Sequence, residues 1–267
     1  MSAAKANSPP VALAELARVL EEIAGISLAG GLDRALEQGL REAAASLGED
    51  PMALARRVVA REPDAVAALL DHALVGQTAF WRHPGDLAAV GRLAARARGP
   101  FSIWCAGCAT GEEPYSVAMA LLEAGRMGRG DRVLGTDLSA RALAAARVGV
   151  YGERALRKLP PDLAARWTEE SADQRRVGRV ARALVTFSRH NLAADPPPAG
   201  APFDAVLCRN VLIYFDPPAA ASALYRLAGA LRPGGALVLG PVELQLAAGM
   251  ALEWVADGDS TLLVRPG

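Results

Sequence analysis

Histidine and cysteine are scarce in this chain, with three of each in 267 residues, and aromatic residues make up 5%. Three cysteines, an odd number without framework spacing, argue against a disulfide scaffold and suggest a reducing compartment. His72, His83 and His190 are scattered, and no second ligand pair accompanies Cys105 and Cys108. A zinc site therefore has no visible donor set, and no metal is expected. There is no excess of either charge: Lys+Arg and Asp+Glu both number 29. That balance argues against a nucleic-acid binder, which usually carries a basic surplus. No apolar run approaches the ~18 residues needed to span a bilayer, and the start, MSAAKANSPP, lacks the charged-then-apolar pattern of a signal peptide. A soluble, cytoplasmic protein without direct membrane insertion is expected.

Apolar residues make up 52% of the chain, many of them alanine, which is enough for a sizeable core. Residues 1–10 read as a loose tail. From 11 to 75 the pattern is helical: Leu13, Leu16, Leu20 and Ile23 recur at three- and four-residue spacing. Gly25, Gly30 and Gly31 punctuate it, Leu32, Leu36 and Leu40 resume it, and Pro51 and Pro63 mark new helix starts. This is a small helical domain. Beyond it, 76–267 reads as a second domain of alternating strands and helices. Strands are expected at Phe101–Cys105, Arg132–Gly135, Val185–Ser188, Asp204–Cys208 and Ala236–Leu239. Helices are expected over Pro114–Ala124 and, capped by Ser139, up to Ala146. Asp257-Gly258-Asp259 separates a closing hairpin, Leu252–Val255 and Thr261–Val264. The expected fold is α/β: a doubly wound, Rossmann-like sheet with a reversed last strand, preceded by the helical domain and interrupted by an insertion over 151–188.

The strongest local signal is the run from Ala106 to Ser116, Ala-Gly-Cys-Ala-Thr-Gly-Glu-Glu-Pro-Tyr-Ser. It follows a strand and opens a helix. Gly107 lets the backbone turn sharply and approach a ligand. Thr110 and Glu113 have capping-box spacing. Asp137 ends the second strand, where an acidic residue holds ribose hydroxyls in nucleotide-binding α/β folds. Asn191 and Asn210 fall at later strand ends, so all could face one crevice. On these features alone NAD remains open, although Gly107 and Gly111 do not make G-x-G-x-x-G. Trp104-Cys105-Ala106-Gly107-Cys108 mimics a W-C-x-x-C redox motif, but Cys105 falls at a strand end, whereas a redox thiolate wants a helix N-terminus.

Thr78-Ala79-Phe80-Trp81-Arg82 resembles the T-x-F-F-R motif of the chemotaxis methyltransferase (CheR) family, and Ala106 to Ser116 resembles its A-x-S-T-G-E-E-P-Y-S loop. Thr136-Asp137-Leu138, Asn191-Leu192, Phe203-Asp204, the run Cys208 to Phe215, and Leu231 to Gly235 match further blocks in order. The resemblance covers roughly residues 70–265. It implies S-adenosylmethionine as cofactor and, as substrate, glutamate side chains in the cytoplasmic helical region of a methyl-accepting, chemoreceptor-like protein. It implies cofactor contacts from Thr78, Arg82, Glu112, Asp137, Asn191, Leu192, Arg209 and Asn210, besides the loop glycine Gly107. Arg82 and Tyr214 would be nearest the chemistry. Two alternatives stay open: a methyltransferase of another carboxylate, and a non-catalytic, cofactor-bound signalling adaptor.

The chain also departs from the family pattern. Residues 11–75 hold six Lys/Arg against eleven Asp/Glu, a local −5, where the family typically has a basic helix. Residues 151–190 hold nine Lys/Arg against five Asp/Glu, a local +4, with Arg175, Arg176, Arg179 and Arg182 close together. Gly76 stands where an asparagine often contacts the cofactor, and Gly240-Pro241-Val242-Glu243 replaces G-H-S-E.

Overall fold

The computed structural model describes residues 13–27, 33–73, 76 and 78–267. The expected tail over 1–10, and the punctuation at Gly30, Gly31 and Leu32, lie outside the described residues. The chain divides into two compact units, Met1–Val75 and Gly76–Gly267.

The first unit is helical: α1 (Leu13–Ala24), α2 (Asp33–Leu47), α3 (Pro51–Val59) and α4 (Pro63–Ala73). The three- and four-residue spacing buries Leu16, Val19 and Leu20 on one face of α1. Both proline starts are realised, and the Asp50 carboxylate caps α3 by accepting from the N–H groups of Met52 and Ala53. Gly39 lets α2 meet α4 at backbone distance, because a Cβ there would lie 2.5 Å from the Cα of Ala73.

The second unit opens with α5 (Pro84–Arg96), β1 (Ser102–Ala106), α6 (Glu112–Glu123), β2 (Arg132–Asp137) and α7 (Ala140–Val148). Next come β3 (Val150–Tyr151), α8 (Glu153–Leu156), α9 (Pro161–Trp167), β4 (Thr168–Ser171), β5 (Gln174–Val177) and α10 (Arg179–Ala183). It closes with β6 (Val185–Arg189), β7 (Phe203–Cys208), α11 (Pro217–Gly229), β8 (Leu231–Leu239), β9 (Glu253–Asp257) and β10 (Ser260–Val264). Seven strands form one sheet in the order β6-β2-β1-β7-β8-β10-β9. Among the described strands of this sheet, β10 alone runs opposite to the other six. The doubly wound sheet with a reversed last strand is therefore the observed fold. Its faces carry two cores, one around Ile103, Met119 and Leu121, the other around Trp104, Val206 and Leu227.

Several boundaries differ from the sequence reading. The insertion is a separate three-stranded sheet, β3-β5-β4, and it ends before β6, because Val185–Ser188 pairs in parallel with β2. β8 begins at Leu231 rather than Ala236. Its Pro-Gly-Gly stretch reads locally as a turn, yet Gly234 donates to the Arg265 carbonyl and Gly235 accepts from the Arg265 N–H. α6 begins at Glu112, two residues before Pro114.

Candidate functional site

The strand order reverses between β1 and β7, since β2 and β6 extend the sheet one way and β8 the other. In doubly wound sheets such a switch point opens a ligand crevice beyond the carboxyl ends of the strands. Here the loops after β1 and β7 meet at that point. Gly107 has φ +71°, and a Cβ there would lie 2.5 Å from Val211 Cγ2. A side chain at 107 would force the two loops apart.

The loop after β1 is bound from below. The Asp137 carboxylate, at the end of β2, accepts from the Ala109 N–H at 2.8 Å and from the Ser139 N–H at 2.9 Å. These two bonds fix the carboxylate at the end of β2, directly under the loop that follows β1. The Thr110–Glu113 capping box does not form. Gly111 is the N-cap, Thr110 Oγ1 donates to Glu112 at 2.7 Å, and Glu113 faces Arg209. Glu112 is buried, and burial raises its carboxyl pKa against the Thr110 hydrogen bond. Tyr151, at the start of the inserted sheet, donates to the Thr110 carbonyl at 2.7 Å.

The segment carrying Thr78 and Arg82 is anchored beside this loop. Phe80 is fully buried and meets Tyr151 edge-on at 4.8 Å. The Trp81 N–H donates to Ser116 Oγ at 3.0 Å, and the Trp81 ring packs against the core. Thr78 and Arg82 are half-buried.

Arg209 holds the centre. Its side chain is 3% exposed and lies between Glu113 at 2.6 Å and Asp86 at 2.9 Å. It also donates to the Arg82 carbonyl at 3.1 Å. Burial disfavours the charged guanidinium, but the two carboxylates outweigh that effect and raise its pKa. The guanidinium thus has an internal role that the motif resemblance did not reveal. Asn210 is left-handed at φ +59°, and its Oδ1 is buried without a hydrogen-bond partner. An orphaned buried acceptor is uncommon in a folded protein and fits a site for a donor-bearing ligand. Asn191 stabilises its own turn by accepting from the Ala193 N–H at 2.9 Å, and Leu192 is buried beneath it. Tyr214 sits half-buried on the 3-10 turn Leu212–Tyr214 after β7.

The thiols are not poised for redox chemistry. Cys105 and Cys108 are buried, and burial pushes both well above the usual thiol range. In the insertion, Arg175 donates to Thr168 Oγ1 and to the Thr168 carbonyl, and Arg176 donates to the Val148 carbonyl. Arg175 thus ties β5 to β4, Arg176 ties β5 to the end of α7, and Arg179 is the exposed member of the cluster.

A doubly wound sheet with a glycine loop, a β2-end carboxylate and an orphaned acceptor at its switch point defines a nucleoside-cofactor-binding α/β domain. Residues 77–249 match the S-adenosylmethionine-binding domain of CheR methyltransferases, and the chain belongs to that family. S-adenosylmethionine is the cofactor of this domain, and the orphaned Asn210 acceptor suits a donor-bearing group of it. Three curated relatives place the chain further. It is 38% identical over 192 residues to a probable biofilm formation methyltransferase, WspC, of Pseudomonas aeruginosa, covering 69% of this chain and 45% of that protein. It is 35% identical to chemotaxis protein methyltransferase 2 of the same species, covering 68% of each chain. It is 36% identical to chemotaxis protein methyltransferase 1 of Vibrio cholerae, covering 70% and 71%. The chain spans less than half the length of the WspC relative.

Proposed function

We propose that this protein transfers a methyl group from S-adenosylmethionine to glutamate carboxylates of a chemoreceptor-like protein, forming glutamate methyl esters in a chemosensory pathway. The observation that carries this reading is the Arg209 bridge. It ties the end of β7 to the start of α6 and to the Arg82 carbonyl, which sets the Thr78–Arg82 segment beside the cofactor loop.

The cofactor supplies an electrophilic sulfonium methyl. A glutamate carboxylate, with a reference pKa of about 4.3, is already ionised near neutral pH and needs no general base. The chain's task is to bind, align and exclude water, and alignment alone is worth roughly 7–11 kcal/mol in good cases. Thr78, Arg82, Gly107, Glu112, Asp137, Asn191, Leu192, Arg209 and Asn210 would hold the cofactor. Arg82 and Tyr214 would orient the incoming carboxylate. The names of the relatives support a chemosensory target, of either motility or biofilm signalling. Ester formation would remove one negative charge from the receptor, a local electrostatic switch.

Transfer of labelled methyl groups to glutamate in a chemoreceptor cytoplasmic region tests the proposal. Label confined to small carboxylic acids, or cofactor binding without turnover, would select one of the two alternatives.

Asp137→Ala is expected to weaken binding of S-adenosylhomocysteine at least tenfold by calorimetry. It removes a charged acceptor, whose hydrogen bonds are worth about 1.5–3 kcal/mol each. It also releases the Ala109 N–H that holds the loop. Unchanged affinity in a folded variant would remove Asp137 from the cofactor site.

A further inference from the structure

Glu243 carries a carboxylate that the proposed reaction does not use. It lies on the 3-10 turn Glu243–Ala247 after β8 and has no exposed surface. Burying an ionisable group is costly unless hydrogen bonds compensate it. One oxygen, Oε1, accepts from the Val211 N–H at 2.8 Å. The other, Oε2, has no hydrogen-bond partner and faces Gly240. A Cβ on Gly240 would lie 2.2 Å from Oε2 and 3.4 Å from the Asn210 nitrogen. Burial raises the carboxyl pKa, opposed by the N–H groups of Val211, Glu243 and Asn210 and by the charge of Arg209.

Val211 is the hinge between two residues of the site. Asn210, before it, is left-handed at φ +59°, a conformation that asparagine tolerates better than other non-glycine residues. The Val211 carbonyl, on the other side, accepts from the Tyr214 N–H at 3.2 Å and so closes the turn that carries Tyr214.

We propose that Glu243 is a positioning residue: its hydrogen bond to the Val211 N–H fixes the backbone that presents Asn210 to the cofactor and Tyr214 to the substrate carboxylate. Gly240 is the other half of the device, since only a residue without a side chain leaves room for the carboxylate. The inference rests on the methyltransferase reading of the same site.

Three variants test it: Glu243→Gln, which keeps an acceptor of the same length, Glu243→Ala, which removes it, and Gly240→Ala, which drives a methyl into Oε2. The readouts are S-adenosylhomocysteine affinity by calorimetry and single-turnover methyl transfer at saturating cofactor. Glu243→Ala and Gly240→Ala should each weaken binding about tenfold and slow transfer by at least as much, as expected for a buried N–H left without its partner. Glu243→Gln should stay within about threefold of the parent on both. In the Glu243→Ala background, Gly240→Ala should add less than about twofold, because contacting residues are not additive. Parental affinity and rate in either alanine variant would overturn the proposal. So would an undiminished Gly240→Ala effect in the Glu243→Ala background, or Glu243→Gln losses equal to those of Glu243→Ala. A merely structural carboxylate would lower the melting temperature and leave affinity and rate per folded molecule unchanged. If Glu243→Ala does not fold, the Gln and Gly240 variants decide. If the parent methylates no receptor, the functional reading fails, while calorimetry still decides the role of Glu243.

Discussion

Replacing Arg209 by methionine is expected to cost about 3–5 kcal/mol of stability, the range seen when one partner of a buried ion pair is removed. The side chain is 3% exposed, and those of its partners Asp86 and Glu113 are 15% and 13% exposed. Methionine fills much of the volume but leaves two sheltered carboxylates facing each other without a cation. It also strands the Arg82 carbonyl, which accepts from the guanidinium at 3.1 Å. Lysine should rescue only part of the loss, because a point charge on a flexible stem cannot reproduce three directed donations. Ser260 still donates one hydrogen bond to Asp86, at 2.6 Å, and this limits the disturbance there. Urea unfolding followed by circular dichroism measures the effect. A loss below about 1 kcal/mol would mean that solvent replaces the guanidinium, as at exposed ion pairs.

Arg82→Lys is expected to keep most of the cofactor affinity while slowing methyl transfer by on the order of 100-fold, a loss that small misalignments of reacting groups produce. The backbone of Arg82 is fixed from two sides, by Arg209 at its carbonyl and by the Trp81 N–H bond to Ser116 just before it. Its guanidinium offers a planar fork that matches a carboxylate, and lysine offers a rotating point charge. If Arg82 served only to attract the cofactor, lysine would replace it by charge. If it aligns the reacting carboxylate, lysine fails at the rate and not at binding. Tyr214→Phe, which removes one hydroxyl near the same crevice, should give a milder loss. Single-turnover transfer at saturating cofactor separates the two roles. Near-parental rates for Arg82→Lys would show that Arg82 does not align the reacting carboxylate.

What was legible in the sequence was local. Ser139 reads as an N-cap and is one, accepting from the Ala142 N–H at 3.0 Å. Asp257-Gly258-Asp259 reads as a hairpin and joins β9 to β10. The glycine loop and Asp137 read as neighbours because each follows its strand, and the Ala109–Asp137 bond joins them. A signal shared by two local structures does not decide between them. Thr110 and Glu113 have capping-box spacing, but Glu113 is drawn to an arginine 96 residues away. Pro233-Gly234-Gly235 has turn chemistry, but pairing with the last strand extends β8 through it. Most of the site's support was invisible for the same reason. The Arg209–Asp86 pair spans 123 positions and the Tyr151–Thr110 bond spans 41. Glu243 reaches Val211 across 32. No periodicity or spacing encodes such contacts; the Arg209 and Glu243 contacts follow from the strand order that brings β1, β7 and β8 side by side, and the Tyr151 contact from where the inserted sheet begins.

If a protein carboxylate receives the methyl group, the product is an ester, and the alkali stability of the new bond distinguishes it from other methylated products. The purified chain would be incubated with methyl-labelled S-adenosylmethionine and the cytoplasmic region of a chemoreceptor from the same cell, then treated with mild alkali. Label is expected on the receptor that alkali releases as volatile methanol, that disappears when the acceptor glutamates are changed to glutamine, and that falls sharply with Asp137→Ala. Alkali-stable label, or saturable S-adenosylhomocysteine binding with no transfer to any receptor, would contradict the proposed function.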